Sequence, residues 1–243
     1  MSIVVTGAAG FIGSNIIRGL NQRGIRDIIA VDDLSHGDKF VNLADLQIAD
    51  YIDHPEFYLR FTAGDYGPVE CVFHEGACSD TMESDGRYMM ANNFEVSKTL
   101  FMACQTQGAR LLYASSAATY GDGSAGMDDR NENLDRLQPL NLYGRSKHDF
   151  DRLARREGYL HRIVGLKYFN VFGPRQDPSS PYSGVISLFI KALSTGATPK
   201  IHGDGGQTRD FTYVANVVDG VLRACTAPKA VGHAINVATN GRV

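Results

Sequence analysis

The chain is short of several features, and each shortage closes a class of function. No apolar run approaches the ~18 residues of a membrane span, so no membrane partner is expected. Positive charge is not in excess: 24 Lys and Arg stand against 27 Asp and Glu, a formal net charge of −3, and no basic cluster offsets it. Binding to nucleic acid is therefore not expected. The four cysteines, Cys71, Cys78, Cys104 and Cys225, contain no C-x-x-C pair, so neither a disulfide framework nor a metal site is read from them. They are expected as free thiols of a reducing compartment. The chain opens directly into the strand-like Ser2–Thr6, which leaves no room for a signal peptide and places the protein in the cytoplasm by expectation. There is no internal repeat and no low-complexity segment.

What is present is an alternation of β-branched runs with helical stretches over 243 residues, enough for one large domain or one and a half. Strands are expected at Ile3–Thr6, Asp27–Val31, Glu70–His74, Arg110–Ala114, Arg162–Tyr168 and Ala234–Val237. Helices are expected at Phe11–Arg23, closed by Gly24, and at Tyr88–Gln107, Leu142–Arg156, Gly184–Thr195 and Val214–Cys225. Beyond Gly173-Pro174 a Pro/Ser-rich loop, Gln176–Ser183, changes the texture, and short strands are expected near Lys200–His202 and Phe211–Tyr213. The pattern predicts an α/β fold with a doubly wound, mostly parallel sheet. Met89, Val96, Leu100 and Phe101 are read as core in preference to subunit contact.

The first strand runs into Gly7-Ala-Ala-Gly10-Phe-Ile-Gly13. A strand turning sharply into a helix aims that helix's unpaired N–H groups, and its partial positive charge, at a pyrophosphate. Gly7 permits the turn, Gly10 lets phosphates approach the backbone, and Gly13 lets helix and strand pack closely. Asp32, nineteen residues beyond Gly13, ends the second strand where an acid would accept hydrogen bonds from an adenosine ribose. Asp32 and Asp33 together would repel a 2′-phosphate and favour NAD, whereas Lys39 would attract one and favour NADP.

Tyr143 and Lys147 are spaced i, i+4 on a helix, about 6 Å apart on one face. A free phenol titrates near ~10, and lowering it by about three units takes about 4 kcal/mol, within reach of a neighbouring ammonium and a positive nicotinamide in a dry cleft. The phenolate would then take a proton from a substrate hydroxyl while hydride leaves the same carbon. Ser115 and Ser116 end the strand at Arg110–Ala114, on the carboxyl side where open α/β sheets bind ligands, and Ser116 is expected to fix the reacting hydroxyl.

With these residues the chain resembles the extended short-chain dehydrogenase/reductase superfamily, in its nucleotide-sugar epimerase branch, over essentially its whole length. Phe40-Val-Asn-Leu43, Ile48-Ala-Asp-Tyr51, Phe73-His-Glu-Gly-Ala-Cys-Ser79, Tyr88-Met-Met90 and Tyr113–Gly121 are similar to the ADP-L-glycero-D-manno-heptose 6-epimerases. That resemblance implies a Rossmann-like domain at residues 1–169 and a smaller, truncated nucleotide-sugar domain at 170–243, from which 211–237 return to the first. It implies tightly bound NADP, with NAD as the alternative, a transient ketone at C6 of the heptose, a product that feeds lipopolysaccharide, and a homo-oligomer. Carried over by position, Phe11, Ile12, Asp32, Asp33, Lys39, Glu75, Gly76, Ala77, Cys78, Ser79 and Asn92 would line the cofactor with Tyr143 and Lys147. Asn170, Val171, His202 and Arg209 would face the nucleotide sugar with Ser116, the arginine fork suiting a diphosphate.

The sequence departs from that pattern in three places. Heptose epimerases carry a second base, a lysine, just after Gly-Pro-Arg, but Gly173–Gly184 has none, and the next is Lys191. That loop and Gly203–Phe211 resemble instead the UDP-hexose 4-epimerases, which oxidise C4 with NAD and one tyrosine. Asp33 stands where heptose epimerases often have asparagine. Both families also continue some tens of residues past Ala234–Val237, whereas Val243 is the last residue here. The expected activity is therefore ADP-heptose 6-epimerisation, with UDP-hexose 4-epimerisation as the alternative and a catalytically silent NAD(P)-binding protein as the second. Ala117-Ala118 stand where 4,6-dehydratases place Asp-Glu, which disfavours that reaction.

Overall fold

The computed structural model describes residues 1–35, 37–157, 163–178, 180, 183–201, 203–241 and 243. Nine strands are described: β1 (Ser2–Thr6), β2 (Ile28–Asp32), β3 (Asp50–Asp53), β4 (Val69–His74), β5 (Arg110–Ser116), β6 (Ile163–Tyr168), β7 (Val171–Phe172), β8 (Thr212–Tyr213) and β9 (Ala234–Val237). Helices follow as α1 (Phe11–Gln22), α2 (His54–Ala63), α3 (Gly86–Met89), α4 (Val96–Gln107), α5 (Leu142–Arg156), α6 (Val185–Ser194) and α7 (Val214–Thr226).

Seven strands form one wholly parallel sheet in the order β3-β2-β1-β4-β5-β6-β9. Helices cover both faces, which is why β1 and β2 read as unbroken apolar runs rather than alternating ones. Against one face, α1 and α7 bury Ile16, Ile17, Leu20, Val217 and Val221. Against the other lie Phe57, Phe61, Leu100, Phe101, Phe150 and Ala154 of α2, α4 and α5. Gly19 lets α1 and α7 meet closely: a Cβ there would stand 2.5 Å from Val218 Cγ1. The chain winds outward from β1 to β3 and then crosses to β4 on the other side of β1. The crevice beyond the carboxyl ends of β1 and β4 is the topological switch point at which such sheets take ligands.

Several expectations shift. The long helix begins at Gly86, not Tyr88, and passes through a π-helical turn at Met90–Glu95 before α4. Met89, Leu100 and Phe101 are buried core, while Val96 is half-buried. The strand expected near Lys200–His202 does not form at Lys200 and Ile201, and His202 lies outside the described residues, as does Arg162. The strand expected at Phe211–Tyr213 is the two-residue β8, which pairs with β7 (Val171 opposite Thr212) in a small separate sheet.

Candidate active site

Gly7 leaves β1 with φ +65° and Gly10, φ −75°, opens α1. The turn tolerates no side chain at two points. A Cβ on Gly13 would stand 2.1 Å from the Gly7 carbonyl oxygen, and one on Gly7 would stand 2.7 Å from Gly76 N. No side chain caps α1 and no acid occupies its first turn, so the N–H groups of Phe11 and Ile12 face the crevice at the positive end of the helix.

Asp32 ends β2 and is buried against this turn. Its Oδ2 accepts the Ala9 N–H at 2.8 Å, and its Oδ1 accepts the Asp33 N–H at 2.7 Å and the Lys39 ammonium at 2.5 Å. Lys39 also donates to the Asp33 carbonyl at 3.1 Å. Lys39 is thus engaged with the acid beside it. The Asp33 carboxyl is held below its ordinary value chiefly by hydrogen bonds from Ser35.

Glu75, Gly76, Ala77, Cys78 and Ser79 follow β4. Asn93, in the π-helical turn, clamps them: its Oδ1 accepts the Cys78 N–H at 2.8 Å and its Nδ2 donates to the Cys78 carbonyl at 2.9 Å. Asn92 instead donates to Tyr88 O of its own helix at 2.8 Å. A buried relay supports the clamp. The Ser97 hydroxyl donates to Asn93 O at 2.5 Å, so His74 Nε2 carries the proton that Ser97 accepts at 3.0 Å. His74 Nδ1 then accepts from Thr6 Oγ1 at 2.7 Å, and Thr6 receives the Gly76 N–H at 3.2 Å. Burial, then the Lys147 charge, pull His74 down to about 3, so it is neutral.

Asn141 caps α5 by accepting the Gly144 N–H at 2.8 Å, and the helix then presents Tyr143 and Lys147 beside Ser116 at the end of β5. Tyr143 is half-buried, and burial raises its phenol; a hydrogen bond with Ser116 lowers it, and Glu75 and Cys78 raise it further. In the protein alone desolvation is the largest influence on this phenol; the expected help from the Lys147 ammonium is for a site that also holds a positive nicotinamide. Lys147 is buried and pulled down to about 8 by desolvation, against the opposing charges of Glu75, Asp151 and Cys78.

Beneath the trio lies an ion pair that sequence reasoning missed. Asp151, one turn beyond Lys147, accepts from Tyr113 OH at 2.6 Å and Ser115 Oγ at 2.9 Å and faces Lys167 Nζ at 3.4 Å. Lys167 donates to Thr119 Oγ1 at 3.0 Å, and Thr119 donates to the Ser116 carbonyl at 2.8 Å. The only hint was spacing: Asp151 repeats Lys147 at i+4, and Ser115 precedes Ser116.

The residues expected to face a substrate are partly assembled. Asn170 Nδ2 donates to the Asp210 carbonyl at 3.0 Å, and Val171 pairs with Thr212, so 170–171 lie along 210–212. Arg209 is exposed and exchanges backbone hydrogen bonds with Val243 at 2.9 and 3.0 Å. His202 is outside the described residues. Arg175, with φ +73°, ties the Gly-Pro-Arg loop to the front half by holding both Asp45 oxygens at 2.6 and 2.7 Å. Lys191 is exposed in the last turn of α6.

A doubly wound sheet with a glycine turn at its switch point, and a Tyr-x-x-x-Lys helix with a strand-end serine alongside, defines an extended short-chain dehydrogenase/reductase. Comparison with known proteins narrows this: residues 3–238 match the NAD dependent epimerase/dehydratase family, and the chain belongs to it. It is an epimerase-class isomerase of the nucleotide-sugar group. Among solved structures it is similar to UDP-N-acetylglucosamine 4-epimerase from Methanobrevibacter ruminantium M1, determined with UDP-N-acetylmuramic acid (31% identity, TM-score 0.83, covering 100% of this chain and 77% of that one). It is similar also to ADP-L-glycero-D-manno-heptose-6-epimerase of Helicobacter pylori (26%, 0.83, 99% and 77%). A third is UDP-glucuronic acid 4-epimerase from Bacillus cereus, determined with UDP-glucuronic acid and NAD (28%, 0.80, 100% and 79%).

Proposed function

We propose that the protein inverts C4 of a UDP-hexose with NAD and a single acid–base residue, Tyr143. The observation that carries this reading is that Tyr143 has Ser116 and Lys147 beside it while Gly173–Gly184 supplies no lysine and Lys191 is exposed on α6. One base serves a reaction in which the ketone would turn its other face to the hydride donor while its oxygen returns to the same tyrosine. Residues 1–169 are read as the dinucleotide and catalytic domain and 170–243 as the sugar-binding portion.

The chain fits a nicotinamide dinucleotide: the turn admits no Cβ at Gly7 or Gly13, the α1 N-terminus is uncapped, and one buried oxygen of Glu75 has no partner among the described residues. When bound, the dinucleotide supplies the hydride acceptor and returns the hydride. Gly10, Phe11, Ile12 and Gly13 would hold its pyrophosphate and Asp32 its ribose, with Gly76, Ala77 and Cys78 along the opposite wall. NAD is favoured over NADP because Lys39 is engaged by Asp32 and Asp33, leaving two acids where a 2′-phosphate would lie. Tyr143 takes the proton of the C4 hydroxyl as the C4–H bond breaks, and gives it back to the oxygen when that bond reforms on the other face. Ser116 would hold the reacting oxygen, and the Lys147 ammonium, with Glu75 and Asp151 opposing its desolvation, would support the phenolate. Asn170, Val171 and Arg209 would meet the nucleotide diphosphate; His202, expected with them, lies outside the described residues.

A second reading, ADP-heptose inverted at C6 with NADP, is favoured by one observation. The Phe73–Ser79 segment, with its heptose-epimerase spelling, is held at Cys78 by Asn93. Tyr143→Phe tests the acid–base role common to both: turnover should fall by at least about 10³-fold with dinucleotide binding retained. Unchanged turnover would remove Tyr143 from the mechanism.

A further inference from the structure

The reaction as described leaves one buried acid unused. Glu75 leaves the end of β4 at the switch point, its backbone packed against the glycine turn: a Cβ on Gly7 would stand 2.9 Å from the Glu75 carbonyl carbon. Its Oε1 accepts from Tyr168 OH at 2.9 Å. Its Oε2 is buried and has no hydrogen-bond partner among the described residues. The groups around it are Tyr143 and Lys147 from α5, Tyr168 from β6, neutral His74 from β4 and Cys78 from the following loop. Lys147 is the one cation among these, and its charge is shared with Asp151. Leaving a buried carboxylate oxygen without a donor is costly. The geometry has a purpose if positive charge arrives with a ligand.

A nicotinamide ring carries one positive charge when oxidised and none when reduced. An epimerase that recycles its dinucleotide must rest with the ring oxidised, since only that form accepts hydride from the next sugar. We propose that Glu75 is the counter-charge of the oxidised nicotinamide, biasing the bound dinucleotide toward the form in which the enzyme awaits substrate. This rests on the dinucleotide reading above. It concerns what Glu75 does there, beyond lining the crevice. Burial pushes the Glu75 carboxyl up to about 7, with Tyr168 and Lys147 opposing. In the protein alone it is therefore about three-quarters protonated at pH 6.5. Arrival of a cation ionises it and a proton leaves. Arrival of the neutral reduced ring does not.

The test is calorimetric titration of protein stripped of its bound dinucleotide with NAD+ and, separately, NADH at pH 6.5 in two buffers of different ionisation enthalpy. The Tyr143→Phe protein is used so that the phenol releases nothing; Lys147, at about 8, stays charged at this pH. The expected result is release of more than about half a proton with NAD+ and essentially none with NADH. Adding Glu75→Gln should abolish that release and shift the NAD+/NADH affinity ratio at least tenfold toward NADH. Equal release with the two forms, or a Gln variant with an unchanged ratio, overturns the proposal. Should the Gln variant not fold, Glu75→Met in the same background supplies the comparison. Binding of neither form to the stripped unsubstituted protein, with no dinucleotide released when the purified protein is denatured, would overturn the dinucleotide reading itself, a distinct failure.

Discussion

Replacing Lys167 with methionine exposes what supports the trio. Lys167 is 1% exposed and Asp151 is fully buried, so the pair has no solvent to screen it. Methionine keeps the length and removes the ammonium. Asp151 would keep Tyr113 and Ser115 as donors but lose its counter-charge, and Thr119 would lose the donor at 3.0 Å. Breaking a buried pair from one side costs about 3–5 kcal/mol. For a chain of this size that lowers Tm by about 10 °C. Asp151→Asn combined with Lys167→Met leaves no orphaned charge and should recover at least about 2 kcal/mol of the loss. Urea unfolding followed by circular dichroism and tyrosine emission reads both, since the chain has no tryptophan. A single variant that costs under about 1 kcal/mol, or a double variant no better than the single one, would refute the argument that this ion pair is desolvated and mutually dependent.

Two further substitutions probe the turn and the relay. Gly13→Ala forces Cβ to within 2.1 Å of the Gly7 oxygen, so the turn must open. At about 1–3 kcal/mol of strain, dinucleotide affinity should fall about 10- to 100-fold by fluorescence titration, with the helical signal retained. His74 binds its proton less readily folded (about 3) than unfolded (about 6.5), so its contribution is whole above pH 6.5 and is lost as pH falls. Comparison with His74→Gln removes the opposite trend of Glu75. The stability difference between wild type and variant should shrink by about 2 kcal/mol between pH 6.5 and pH 5, and a constant difference would mean the imidazole is not held neutral.

Local signals made part of this molecule legible. β1, the glycine turn and α1 follow from an apolar run, three glycines and the i, i+4 pairing of Ile12 with Ile16. α5 was readable to the residue because Asn141 caps it and Phe150 and Ala154 mark its buried side. β3 was not, because a four-residue strand with one buried side chain, Ile52, carries almost no periodicity. The π-helical turn inserts one residue into a helical pattern that looks continuous, yet it is what aims Asn93 at Cys78. The short strand expected near 200 does not form at Lys200 and Ile201, whereas the one at Phe211–Tyr213 does. Within the site, Ser116, Tyr143, Lys147 and Asp32 announce themselves by spacing. Asn93, Asp151, Lys167 and the Thr6–His74–Ser97 relay do not, because each acts through partners 15 to 68 residues away. Lys39 showed both kinds: sequence left it free to meet a phosphate, and the fold gives it to Asp32.

The account is tested most directly by incubating the purified protein, without added cofactor, with UDP-galactose and, separately, with ADP-D-glycero-D-manno-heptose, and following each by NMR. Inversion at C4 of the hexose, with NAD released on denaturation, is the predicted result. Inversion at C6 of the heptose alone, with NADP released, would contradict the single-base C4 reading and place a second proton carrier outside Gly173–Gly184.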